Sequence, residues 1–236
     1  MAFEYYHQNL QEVKERIARA CVSCNRNPDE ITLIAVSKTN PVEAIQAMRA
    51  LGPLHFGENK VQELVPKMKA LDEDKQINWH MIGTLQTNKI KYLADRVDWI
   101  HSVPKLKALK EIDKRAEQAG RVIKVLIQVN ISEEDQKSGC DPAELPGLLL
   151  KADEMQHITV MGLMGMATFS DDPELVRPEF RLLRELLELE QKRGYKSHQL
   201  THLSMGMTND LEVAVQEGAT MLRIGTALFG KRAVDF

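Results

Sequence analysis

Ile31-Thr32-Leu33-Ile34-Ala35-Val36-Ser37-Lys38 is a run of apolar and β-branched residues that ends on a lysine. Both alternating faces of the run are apolar, the pattern of a strand covered on both sides, as in a parallel sheet. The lysine at its outgoing end has two readings. It snorkels to solvent, or it is desolvated enough to lose its proton and form a Schiff base with a carbonyl compound.

The alternation of strands and amphipathic helices extends outward from this run. Upstream, Leu10, Val13, Ile17, Ala20 and Cys21 share one helical face that ends before Asn25 to Pro28. Downstream, strands are expected at 54–58, 78–83, 99–103, 124–131, 159–167, 199–205 and 221–225. Helices are expected from Pro41, at 59–71, around 88–95, and at 104–120, 141–153, 173–194 and 209–218, with a polar loop at 132–140. Eight strands, each followed by a helical stretch, in about 200 residues is the count of a closed (β/α)8 TIM barrel. A doubly wound open sheet is the alternative. It favours a glycine-rich turn after its first strand, and Ser37-Lys38-Thr39-Asn40-Pro41 is not one. The expected organisation is one α/β barrel domain over residues 1–236, with residues 1–25 as a helix ahead of strand one.

The chain has 236 residues, 43% hydrophobic and 28% charged, and 31 Lys+Arg against 34 Asp+Glu give a net charge of -3. No block is basic enough to suggest nucleic acid, and no apolar run approaches the ~18 residues of a membrane span. The amino terminus lacks a basic segment followed by an apolar one, so a cytoplasmic protein is expected. Three cysteines suit a reducing compartment. Cys21-Val22-Ser23-Cys24 has CxxC spacing but no second Cys/His pair at zinc spacing, so no metal is expected. The stretch with Phe180, Leu182, Leu183, Leu186, Leu187 and Leu189 reads as the inner stripe of an outer helix. Met161, Met164 and Met166 read as packing.

Barrel enzymes place their reactive groups at the carboxyl ends of the strands and bind phosphate after strands seven and eight. Those ends read Leu203-Ser204-Met205-Gly206-Met207-Thr208 and Leu222-Arg223-Ile224-Gly225-Thr226-Ala227. Ser204, Thr208 and Thr226 offer hydroxyls, Gly206 and Gly225 let backbone N–H groups approach an anion, and a short helix from Thr226 adds its dipole. The same residue types are also common in turns and caps. Arg223 lies inside an apolar strand with the parity of Gly225 and needs either an acidic partner or a ligand. With Lys38, the pattern asks for a phosphorylated compound bearing an aldehyde and a ring acceptor. Pyridoxal 5′-phosphate (PLP) fits: an aldimine to Lys38, phosphate at the two strand ends, ring nitrogen at Arg223.

The motifs Ala35-Val36-Ser37-Lys38, His55-Phe56-Gly57-Glu58-Asn59, Trp79-His80-Met81-Ile82-Gly83-Thr84-Leu85-Gln86-Thr87-Asn88-Lys89, Leu203-Ser204-Met205-Gly206-Met207 and Arg223-Ile224-Gly225-Thr226 resemble those of the pyridoxal phosphate homeostasis proteins of the YggS/PROSC type. The resemblance spans nearly the whole chain. It implies a barrel like the N-terminal domain of alanine racemase (PLP fold type III), without the C-terminal β-domain. It further implies that Lys38 carries PLP as a covalent aldimine, that Ser204, Gly206, Gly225 and Thr226 hold the phosphate, that Arg223 meets the pyridine nitrogen and that Asn59 lies beside the ring. His80 and Asn88 belong to the motif without a role, and His80 reads equally as a packed strand histidine. Lys137-Ser138-Gly139 reads as a solvated turn, with a cover over the pocket as the alternative.

The resemblance leaves two classes of function. Racemisation through PLP needs a base on each face of the substrate α-carbon. Alanine racemases take the second from a tyrosine of a C-terminal β-domain, and Tyr5, Tyr6, Tyr92 and Tyr195 fall at no predicted strand end. A non-catalytic carrier is therefore expected, one that holds PLP and buffers it or delivers it to PLP-dependent apo-enzymes, with no catalytic residue and a monomeric state. The alternatives are a small racemase using Lys38 with His80 or a water, and a cofactor-free aldolase whose Lys38 meets a phosphorylated sugar directly.

Overall fold

Thr32–Val36 forms strand β1 with Ile34, Ala35 and Val36 all buried, so both of its faces are covered. The computed structural model describes residues 2–132 and 138–230. In it β1 opens a closed parallel barrel with β2 (His55–Glu58), β3 (Asn78–Met81), β4 (Trp99–Val103), β5 (Ile123–Gln128), β6 (Ile158–Met164), β7 (His202–Ser204) and β8 (Met221–Ile224) in sequence order. β8 returns to β1 with Ile34 opposite Arg223. The expected barrel is present and the open sheet is excluded.

Helices α1 (Ala2–Ser23), α2 (Val42–Ala50), α3 (Val61–Ala70), α4 (Leu106–Gln118), α5 (Leu145–Ala152), α6 (Arg177–Gln191), α7 (Leu211–Gln216) and α8 (Thr226–Phe229) wrap the barrel. Helix α1 packs on α2, α7 and α8, covering the flank where α7 and α8 are short. Side-chain parity splits the apolar residues into two cores. Ala35, Phe56, Trp79, Ile100, Val125 and Leu222 face outward under the helices. Ile34, Trp99, Leu126, Met161, Met164 and Met221 fill the interior. Among the described residues no helix is long and apolar enough to cross a membrane.

Several elements are shorter than expected. The stretch at 199–205 is a strand only over His202–Ser204, and β1 stops at Val36. Residues 88–95 form a 3-10 turn over Thr87–Tyr92 instead of an α-helix. The helices expected at 141–153 and 173–194 begin as 3-10 turns, Pro142–Glu144 and Pro173–Val176. Hydropathy reports burial, and a buried residue just beyond a strand end looks the same as one inside it. In α6, Phe180, Leu183 and Leu187 are buried, whereas Leu182 and Leu189 are exposed. Its stripe is narrower than its leucine content suggests.

Candidate functional site

The seven candidate residues lie at the carboxyl ends of four consecutive barrel strands, β7, β8, β1 and β2. Lys38 follows β1 by two residues and is half-buried. The turn that carries it is pinned by Ser37 N–H donating to Gly57 O at 3.0 Å and Asn40 N–H donating to Ser37 O at 3.0 Å. Thr39, next in the chain, has a φ of 65, an unusual conformation for a residue with a β-branched side chain. Asn59 stands directly after β2. The segment after β3 presses onto it so closely that a Cβ on Gly83 would overlap the Asn59 main chain. Gly83 is thus needed where it occurs in the motif, because its missing side chain lets β3 hold Asn59 in place.

Arg223 lies on β8 with the interior parity and is 5% exposed. Its Nη1 donates to Ser204 O and to Ser204 Oγ, each at 2.7 Å, and its Nη2 donates to Gly165 O at 3.0 Å. These are oxygen atoms of neutral groups; among the described residues no carboxylate pairs with it. Of the two readings of this residue, the ion pair is set aside. Burial pushes the guanidinium down to about 10, against a smaller opposing pull from Asp210. Its Nε–H makes no hydrogen bond among the described residues.

Gly206 has a φ of 90, and a Cβ there would sit 2.5 Å from Ala214 Cβ and 2.8 Å from Leu222 Cδ2. The turn and the packing by themselves require a glycine here. Gly225 immediately precedes α8, which starts at Thr226 as expected. Ala227 N–H donates to Thr208 Oγ1 at 3.4 Å, tying the end of β8 to the loop after β7. Asn88 is exposed in the 3-10 turn after β3.

The interior holds a feature that sequence reasoning missed. His55 Nδ1 lies 2.9 Å from His80 Nε2, His80 Nδ1 lies 2.8 Å from His101 Nε2, and His101 Nδ1 lies 2.9 Å from Ser204 Oγ. Three imidazoles on β2, β3 and β4 thus form a hydrogen-bonded column that ends on the serine gripped by Arg223. Burial, aided by neighbouring positive groups, holds His80 and His101 well below the usual imidazole range; it lowers His55 and His202 as well. A neutral column is what an arginine without a counter-ion can tolerate beside it. The signal was present in the sequence: His55, His80 and His101 each occupy an inward position of a strand, where a TIM barrel carries branched apolar residues. Both ring nitrogens of His80 are engaged.

A hydroxyl offers one hydrogen and two lone pairs. Ser204 Oγ accepts from Arg223; if His101 also donates to it, the serine hydrogen is available to a third partner. Among the described residues no group of His, Cys, Asp and Glu is arranged to hold a metal. Cys21, Cys24 and Cys140 are free thiols, and burial pushes Cys140 up to about 12. Lys137, of the candidate cover, lies outside the described residues.

The sequence profile of the alanine racemase N-terminal domain family matches residues 8–233. The pyridoxal phosphate homeostasis protein of Aquifex aeolicus is 45% identical over 225 residues, covering 95% of this chain and 97% of that relative. The protein of the same name from Pseudomonas aeruginosa is 40% identical over 225 residues, covering 95% of each. PipY of Synechococcus elongatus, solved with PLP bound, is 37% identical. It covers 91% of this chain and 100% of that one, with a TM-score of 0.81.

Proposed function

The chain belongs to the alanine racemase N-terminal domain family, among its pyridoxal phosphate homeostasis proteins, and on that premise we propose that its barrel mouth holds PLP for intracellular vitamin B6 balance without turning over a substrate. PLP supplies an aldehyde that joins a neutral primary amine with loss of one water. In this reading Lys38, at the end of β1, supplies that amine and makes the covalent bond. Ser204, Gly206, Gly225 and Thr226 hold the phosphate, Arg223 directs its uncommitted Nε–H at the ring nitrogen, and Asn59 borders the ring. The observation that carries the reading is Arg223. A buried guanidinium commits three of its five N–H groups to neutral oxygens and keeps Nε–H and one Nη2–H, which the acceptor of a ligand would satisfy. A cation there also keeps that acceptor unprotonated.

Holding is favoured over racemisation by what the chain's own residues offer. His80, the candidate second base, is fully buried with both nitrogens bonded to other histidines. Tyr5 and Tyr6 lie on α1, Tyr92 is exposed, and Tyr195 donates to Glu190 at 2.5 Å. None of them stands at the carboxyl end of a strand, so among the described tyrosines and His80 none joins Lys38 as a second base. PLP-dependent apo-enzymes as recipients, a cytoplasmic location and a monomeric state belong to the same proposal.

Borohydride reduction of the PLP-loaded protein followed by peptide mapping is the direct test, with a pyridoxyl label expected on Lys38 and lost in Lys38→Ala. A label on another lysine, or none, overturns the assignment. Exchange of α-deuterium in several amino acids at enzymatic rates would overturn the non-catalytic part and reinstate the racemase.

A further inference from the structure

The turn that carries Lys38 is held from outside the barrel wall by a charged cluster that faces the helices and has no part in the site described above. Glu58, the last residue of β2, is wholly buried, and Lys67 of α3 is nearly so. Lys67 Nζ donates to Glu58 Oε1 at 2.7 Å and to Ser37 O at 2.9 Å, and lies 3.7 Å from Glu63 Oε2. Ser37 Oγ donates to the same Glu58 oxygen at 2.7 Å, and Thr39 N–H donates to Glu63 Oε2 at 2.7 Å. The main chain is therefore gripped on both sides of Lys38: at the carbonyl before it by a buried ammonium, and at the amide after it by a carboxylate.

We propose that Glu58, Lys67 and Glu63 are positioning residues for Lys38, fixing the peptide on either side of it so that its amine is presented at the barrel mouth; this rests on Lys38 being the residue that carries PLP.

The arrangement is costly as a stabilising device alone. A buried ion pair returns little net stability against a packed apolar pair, and Glu58 Oε2 is buried with no hydrogen-bond partner among the described residues. Burial raises the Glu58 carboxyl above its usual range, with the bonds from Lys67 and Ser37 opposing that rise. What the cluster obtains for this cost is geometric. β1 ends at Val36, so no strand pairing orders Lys38. Thr39 turns into the left-handed region, where few residues stay unless held. A lysine on a loose turn would spread its long side chain over many positions, and bond formation is sensitive to a displacement of an ångström. α3, which carries Lys67 and Glu63, leads directly from the loop of Asn59, so one short segment sets both the amine and a border of the ring site.

The test compares wild type with Lys67→Met, Glu63→Gln and the double variant Glu58→Gln/Lys67→Met, the last removing both buried charges. Three readouts are needed: amide hydrogen exchange at Thr39 without PLP, the rate and pH midpoint of PLP adduct formation on Lys38, and the urea midpoint. We expect faster exchange at Thr39 in Glu63→Gln, adduct formation slowed by about tenfold or more in Lys67→Met and about threefold in Glu63→Gln, and a shifted pH midpoint. The double variant should keep a urea midpoint near that of wild type while its adduct formation stays slow. If Lys67→Met fails to fold, Glu63→Gln decides. Folded variants with wild-type rate and pH midpoint overturn the proposal. Wild type with no Lys38 adduct at all would instead refute the underlying PLP reading, and this inference with it.

Discussion

His80 and His101 spend none of their surface on water and sit neutral in a hydrogen-bonded column. That has a consequence for acid stability whose sign is fixed by where the protons go. Below about pH 6.5 the unfolded chain protonates these imidazoles while the folded chain, with both values depressed, does not. The unfolded state then binds more protons, so stability is complete above that pH and falls as pH drops through it. For two such residues the loss between pH 7.5 and 5.5 has a ceiling of about 3 kcal/mol. Urea titrations across that range should show it, and a flat profile would mean that the column takes up protons when folded. Arg223 gives a second prediction at this scale. A lysine in its place offers one ammonium where Ser204 O and Gly165 O are reached by two separate nitrogens. Arg223→Lys should lose about 2–3 kcal/mol of folding stability and bind PLP at least tenfold more weakly, as read by urea midpoint and spectral titration.

Elements meet the site through glycine. The segment after β3 reaches the Asn59 main chain only because Gly83 has no side chain, so Gly83→Ala must separate β3 from the loop after β2. A loss of at least about 2 kcal/mol is expected from overpacking, together with loss of PLP binding. Gly147, in the first turns of α5, is exposed and has open space around its Cα. There the same substitution should stabilise the protein by about 0.5 kcal/mol through helix propensity and leave PLP binding unchanged. Thermal melts of the two variants separate a glycine that brings two elements together from one that merely occupies a helix. If both behave alike, the close approach at Gly83 is not what positions Asn59.

At the scale of the whole barrel, PLP should act as a ligand of the folded state only. At a hundredfold excess over its dissociation constant it adds about 3 kcal/mol, which for a chain of this size raises Tm by roughly 5–10 °C. Lys38→Ala should forfeit most of that rise; a full rise in the variant would place the ligand elsewhere.

The barrel and the strand-end residues Lys38, Ser204, Arg223 and Gly225 were legible in the chain because each rests on local signals. These are the period of apolar residues, a cation where apolar neighbours make it expensive, and glycines next to hydroxyls at a strand end. Element ends were less legible, since a loop folded over the barrel mouth buries its residues as thoroughly as a strand does. The inward histidines were visible one strand at a time, but their joining into a column, and the Glu58–Lys67–Glu63 grip on the Lys38 turn, were decided by the tertiary structure. His55, His80 and His101 stand on three different strands, and Glu58 and Lys67 on a strand and a helix. Such groups become neighbours only when the sheet closes and its stagger sets their heights, and no periodicity along a single segment encodes that distance.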